Sequence, residues 1–186
     1  MTTKTGNDFA FLQGKENYFT CDNVYNGIDV IYSEFLKRRN DLEYRKKCKR
    51  LIVYIDEYST LQSLMSKEIA NDLKPKLFAL LSEAREMKIT MAYGMQRCDA
   101  RFFDSARDNI STRVGLATLT DEAKKMLYDE FSDFATATNK VGEAYLYRYG
   151  AKDKNGFPIG LERITTKLLK DDEKADVENI IKKFMK

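Results

Sequence analysis

Leu51-Ile52-Val53-Tyr54-Ile55-Asp56-Glu57 decides how this chain is read: an unbroken apolar, β-favouring run is followed at once by two carboxylates. A continuous apolar run of this length fits a strand buried on both faces, as in a parallel sheet. In an open α/β sheet ligands bind beyond the C-terminal ends of the strands, so Asp56 and Glu57 are delivered to the functional edge. The first acid of such a pair can hold a hydrated magnesium between two phosphates, and the second can orient or deprotonate an attacking water. The alternative is two acids that merely end a strand.

Working outward, the hydrophobic pattern alternates short apolar runs with helical stretches, which predicts an α/β domain with a largely parallel sheet. A short strand is expected near Asn17 to Cys21. After it, Asp22-Asn23 cap a helix whose apolar stripe is Ile28, Ile31, Tyr32, Phe35 and Leu36. Beyond Glu57 a helix carries Leu77, Leu80, Leu81, Ala84 and Met87 on one face, Pro75 suits a first helical turn better than an interior, and the segment before it is either a separate helical turn or the near side of a kink. A strand at Ile89 to Tyr93, a helix around Ala100 to Arg107, a strand at Arg113 to Ala117 and a helix capped by Thr120 or Asp121 follow. Gly142 to Tyr149 and Ile159 to Ile164 flank an Asn155-Gly156 turn and read as a β-hairpin. The final helix opens on Asp171-Asp172-Glu173 and is expected to pack on the domain through Val177, Ile180, Ile181 and Phe184.

Composition narrows the function. The chain has 186 residues, 43% of them apolar, which is of one-domain size and ample for a packed core. It has no histidine, and its three cysteines, Cys21, Cys48 and Cys98, form no Cys-x-x-Cys. Zinc fingers and His-dependent nucleophile triads are therefore out, and each cysteine reads as a small buried hydrophobe. No run suits a membrane helix or a signal peptide, so a cytoplasmic protein is expected. The net charge is only +3, yet Lys37, Arg38, Arg39, Arg45, Lys46, Lys47, Lys49 and Arg50 are gathered in one stretch. That stretch is either a phosphate-facing patch or the solvated end of a helix and its loop.

One strand-helix unit after Asp56-Glu57, the strand at Ile89 to Tyr93 ends in Gly94-Met95-Gln96-Arg97. An amide at the tip of a neighbouring strand can hydrogen-bond a γ-phosphate or the lytic water, which makes Gln96 a candidate beside the two acids.

With these residues assembled, the chain resembles the FtsK/SpoIIIE family of DNA-pumping ATPases and the coupling ATPases of conjugative elements. Leu51 to Glu57 is similar to the family's Walker B strand, Leu80 to Arg85 to its LxxxAR helix, and Gln96-Arg97 to its Gln-Arg-Pro motif. Asn109 to Val114 is similar to its Asn-Ile-x-x-Arg strand entry, and Gly142 to Tyr147 to its glycine-led edge strand. The resemblance implies a RecA-like P-loop NTPase sheet with a C-terminal β-hairpin and helix. It implies one partial domain over 1–186, with the α/β core over 1–140 and the hairpin and final helix over 141–186. Asp56 would serve magnesium, Glu57 the lytic water and Gln96 the γ-phosphate. Arg113, or failing it Arg97, would reach a neighbour's nucleotide as a trans-acting finger, the alternative for each being a packing or surface arginine. The implied cofactors are ATP and magnesium, the implied partner is double-stranded DNA, and the implied assembly is a homo-oligomeric ring. A membrane tether would have to come from a preceding region.

Two departures matter. Cys98 stands where the family has proline, and no Gly-x-x-x-x-Gly-Lys-Ser/Thr occurs in the chain, since Gly14-Lys15 runs into Glu16. The family places its phosphate loop, a helix and a further strand ahead of a segment similar to Gly6 to Leu12. The expectation is thus a domain truncated at its N-terminus, inactive alone, with the flank of Leu51 to Ile55 uncovered and met by self-association, by strand exchange or by drawing Phe9 to Leu12 into the gap. A non-catalytic interaction or regulatory subunit of a motor, and a simple DNA-binding module, are the rival readings.

Overall fold

The computed structural model describes residues 1–2, 7–20, 23–98, 103–137, 140–156 and 159–185. Two compact units emerge, one of Met1–Gln96 with Glu173–Lys186 and the other of Arg97–Asp172. The division thus falls at Gln96, not at residue 140, and the final helix clusters with the N-terminal part.

In the first unit, α1 spans Val24–Asn40 and α2 Leu42–Lys47, followed by β1 at Leu51–Ile55, α3 at Tyr58–Leu64, α4 at Lys67–Glu83 and β2 at Ile89–Tyr93. The strands pair in parallel, Leu51 opposite Ile89 and Ile55 opposite Tyr93. Parallel neighbours need a crossover, and α3 with α4 supplies it. Val24, Ile28 and Phe35 of α1, Leu61 of α3, Leu73, Leu77 and Leu80 of α4, and Val53, Ile55 and Ile89 of the strands are buried. That is the apolar stripe of each element turned inward.

The second unit holds β3 at Thr112–Leu116, α5 at Asp121–Tyr128, β4 at Glu143–Arg148 and β5 at Leu161–Thr165. Its three strands are antiparallel, in the order β3-β4-β5. Thr120 caps α5 by accepting from the Ala123 amide. Asp153 accepts from the Asn155 and Gly156 amides, and Gly156 takes the positive φ of 85° that the predicted turn requires. Tyr128, Ala135, Tyr145 and Tyr147 form the core of this unit.

Several local expectations give way. Among the described residues β1–β2 is the parallel strand pair, joined by isolated parallel bridges from Thr2 to Thr20 and Asp56. Asn17 to Thr20 forms no strand: Thr20 makes only an isolated bridge with Thr2, while Cys21 and Asp22 lie outside the described residues. Asn23 adopts helical backbone angles and makes no side-chain cap. Pro75 sits inside α4, because Ser66 caps the helix nine residues earlier, accepting from the Ile69 amide. Burial of Leu73, Leu77 and Leu80 along one face offsets the roughly 3 kcal/mol that an interior proline costs. The stretch expected as a helix at Ala100 to Arg107 is a 3-10 helix over Asp104–Asn109, with residues 99–102 outside the described set. Cys48 and Cys98 are half-buried rather than buried, and neither is in a disulfide.

β1 is buried on one face only. Val53 and Ile55 are covered, whereas Ile52 is 71% exposed. Phe9 to Leu12 does not enter the sheet. It belongs to a 3-10 helix, Asn7–Leu12, that sets the Phe9 ring 6.2 Å from that of Tyr54. Met1 and Thr2 take the edge instead: the Asp56 amide donates to Met1 O at 2.8 Å, and Thr2 bridges Asp56 in parallel.

The last helix, α6, runs from Asp171–Phe184 and buries none of its residues. Its apolar stripe was expected to pack inward, yet Val177, Ile180 and Phe184 are exposed.

Candidate functional site

Asp56 and Glu57 occupy the turn between the C-terminal end of β1 and the start of α3, and both are buried. Gly94, the residue after β2, fixes both ends of that turn. Its amide donates to Ile55 O at 2.8 Å, and its carbonyl accepts from the Tyr58 amide at 2.9 Å. Glu57 itself has φ 52° and ψ 48°, and its carbonyl accepts from the Thr60 and Leu61 amides as the helix begins.

The Asp56 carboxylate is held by two hydroxyls. Tyr54 donates to Oδ1 at 3.1 Å and Thr2 donates to Oδ2 at 3.2 Å. Residues i and i+2 of a strand share a face, which is why Tyr54 can reach Asp56. The Met1 ammonium donates to Tyr54 O at 2.8 Å. Burial lowers its pKa below the ordinary value, while the nearby Asp56 charge pulls the other way. Beneath the turn, Tyr58 and Tyr93 meet edge to face at 4.9 Å, and Gln62 donates to the Tyr58 hydroxyl at 2.7 Å. Burial, with Tyr58 alongside, raises the Tyr93 pKa far above its ordinary value.

Gln96 lies in an exposed bend two residues beyond Gly94, on the same strand-tip loop, and Arg97 next to it is also exposed. Arg113 behaves otherwise. Its side chain is 3% exposed. It donates to the carbonyls of Ile110 at 3.1 Å, Leu127 at 3.3 Å and Arg107 at 3.3 Å, and to Asp129 at 2.9 Å. Its guanidinium also lies 5.3 Å from the Tyr147 ring centroid. The Arg113 guanidinium is thus engaged within its own unit, as a packing arginine is.

The basic stretch is likewise divided. Arg38 is buried and donates to Glu34 at 2.7 Å and to the carbonyls of Lys49, Met87 and Lys88 at 3.1–3.2 Å. It stitches α1 to the ends of the loops around β1 and β2, and cannot face a phosphate. Lys37 lies 4.0 Å over the Tyr44 ring, Lys46 pairs with Glu43 and Arg39 with Glu83. Arg45 reaches the Met87 sulfur and Arg50 the Thr90 hydroxyl. Lys47 and Lys49 are exposed.

Sequence reasoning missed Thr2, Tyr54 and Gly94. For Tyr54 the signal existed, a tyrosine two residues before an acid on one strand. Thr2 gave none, because its approach is made only in three dimensions.

The fold that carries this arrangement, acids at the tip of a parallel strand with the adjoining strand's loop beside them, is similar to that of P-loop motor ATPase domains. No protein-family model and no curated protein matches the sequence. Solved structures do. The conjugation coupling protein TcpA of pCW3, in a monomer form with ATPgS, is similar at a TM-score of 0.68 and 17% identity, over 98% of this chain and 55% of that one. The cytoplasmic domain of the type VII secretion ATPase EccC of Thermomonospora curvata is similar at 0.67 and 15% identity, over 97% of this chain and 23% of that one. Both are FtsK/SpoIIIE-type motors, so the resemblance read from the sequence holds at the level of fold. The chain spans about half the length of the first and a quarter of the second. Among the described residues no helix is long and apolar enough to cross a membrane.

Proposed function

We propose that this chain supplies the Walker B acids of an ATP-driven double-stranded DNA translocase of the FtsK/SpoIIIE type, from a conjugative or mobile element. The observation that carries the reading is the buried pair Asp56-Glu57, set in a turn whose two ends are both tied to Gly94. In this reading Asp56 holds magnesium, Glu57 orients the lytic water, and Gln96 reads the γ-phosphate from the neighbouring loop. Arg97 is the remaining arginine for a trans-acting role in a homo-oligomeric ring, and Lys47 and Lys49 are the exposed cations left to meet DNA phosphates.

The residues present fit a magnesium ion that arrives with nucleotide. Among the described residues no three His, Cys, Asp or Glu side chains gather into a cage. Magnesium bound through phosphates and water needs only one or two carboxylates, and the hydroxyls of Tyr54 and Thr2 hold that of Asp56 in place. The ion would neutralise charge developing on the phosphates.

Because the sequence carries no phosphate loop, the chain by itself should bind ATP with a dissociation constant weaker than about 10 μM, or about −7 kcal/mol. The decisive experiment fuses a phosphate-loop unit ahead of Met1 and measures DNA-stimulated ATP hydrolysis. Glu57→Gln is expected to reduce the rate by roughly 10²-fold or more while nucleotide still binds. An unreduced rate would hand the reading to the non-catalytic subunit.

A further inference from the structure

The apolar stripe of α6 faces away from the unit that carries the helix. Val177, Ile180 and Phe184 recur at i, i+3 and i+7, one helical face, and are 38%, 53% and 83% exposed. The side that touches is another one. Ile181, Lys182 and Met185 are half-buried, and the Lys182 ammonium lies 5.6 Å from the Phe11 ring centroid. At 100° per residue Lys182 sits roughly 150° round from the stripe, so the helix lies on its back.

We propose that this stripe docks on the same stripe of a second copy, with the two α6 helices antiparallel. The charges select that partner and that direction. The first half of α6 is acidic, with Asp171, Asp172, Glu173, Asp176 and Glu178, and its last turn is basic, with Lys182 and Lys183. Asp176 and Lys183 lie two helical turns apart on the open flank of the stripe. An antiparallel pair centred on Ile180-Ile181 sets Val177 against the partner's Phe184. It also brings Asp176 to an axial offset of two residues, about 3 Å, from the partner's Lys183 on the same flank, twice over by symmetry. The helix dipoles then oppose, whereas a parallel pair would bring acidic end to acidic end.

The contact is isologous and closes at two copies, so it is distinct from the head-to-tail contact of a ring and independent of the proposed activity. A pair of 14-residue helices forms an interface at the small end of the range, which makes the dimer a weak one.

Sedimentation velocity on the whole chain tests this, over a concentration series from about 1 to 200 μM at low salt. A monomer–dimer equilibrium is expected, with a dissociation constant roughly in the tens of micromolar. Ile180→Glu should weaken it at least about tenfold without altering the thermal melt, because the residue is exposed. Asp176→Lys should weaken it, and Asp176→Lys with Lys183→Asp should restore it. A monomer at every concentration, a dimer indifferent to Ile180→Glu, or a double reversal that fails to restore would each overturn the proposal. So would Ile180-dependent binding to anionic phospholipid vesicles by a chain that stays monomeric.

Discussion

Arg113 donates to Asp129 at 2.9 Å from a position where the arginine is almost wholly buried and the acid only partly so. Removing Arg113 leaves Asp129 its second partner, Arg107 at 3.2 Å, but strips a charged donor from the carbonyls of Ile110, Leu127 and Arg107. Arg113→Ala is expected to destabilise the second unit by about 2–3 kcal/mol, read from urea unfolding. Arg113→Lys should recover only part of this, since an ammonium cannot serve three carbonyls and a carboxylate from one planar fork. Unchanged stability in Arg113→Ala would reopen the finger role.

A second contrast lies within the basic stretch. Arg38→Ala should cost about 2–3 kcal/mol, because it strips a charged donor from the carbonyls of Lys49, Met87 and Lys88. Lys47→Ala and Lys49→Ala should stay within about 0.5 kcal/mol of the parent. If these lysines touch DNA phosphates, each should lower the slope of log affinity against log salt by about one. Equal stability losses in all three variants would contradict the division.

Gly94 has no room for a side chain. A Cβ there would press on the Tyr54 hydroxyl and lie 3.2 Å from Asp56 Oδ1. Gly94→Ala is expected to cost about 1–3 kcal/mol and to break the Tyr54–Asp56 hydrogen bond. Adding Tyr54→Phe should return part of the lost stability, because it removes the atom that is struck. Thermal melts of the two single variants and the double variant would settle the point, and strictly additive losses would refute it.

Alkaline pH should unfold the chain for a definable reason. Burial, chiefly, pushes the Tyr128 pKa up to about 12 from its ordinary value of 10.0. The unfolded chain therefore gives up this proton first. The contribution to stability is intact below pH 10 and is lost as pH rises toward about 12. Tyr93 and Tyr147, also raised, add in the same direction. The urea midpoint should be level from pH 8 to 9.5 and fall beyond it, less steeply in Tyr128→Phe. A flat profile up to pH 12 would count against the burial of these phenols.

Much of the fold was legible because local chemistry and tertiary demand agreed. The Leu51 to Ile55 run, the Thr120 cap, and the Asn155-Gly156 turn each announce one backbone state. Asp56 and Glu57 were legible for the same reason, as polar residues that interrupt an apolar strand. What escaped was set at long range. Pro75 misled because a local penalty was outweighed by burial along α4, and Arg38 misled because charge suggested surface whereas its partners are carbonyls from distant loops. Arg113 could be read either way until its shell of acceptors was in view. The α6 stripe shows the limit of periodicity, which reports that a face is apolar and not what covers it.

Glu57 holds a left-handed backbone conformation, φ 52°, that a glycine would adopt without steric cost. For an L-residue with a side chain this conformation costs on the order of 1–2 kcal/mol. Folding alone would therefore favour glycine at this position, and the role proposed for the Glu57 carboxylate runs against it. Chemistry and stability thus pull in opposite directions at a single residue, so Glu57→Gly can separate them. A variant that melts at or above the parent temperature yet fails in the fused ATPase would have lost function through the missing carboxylate and not through its fold.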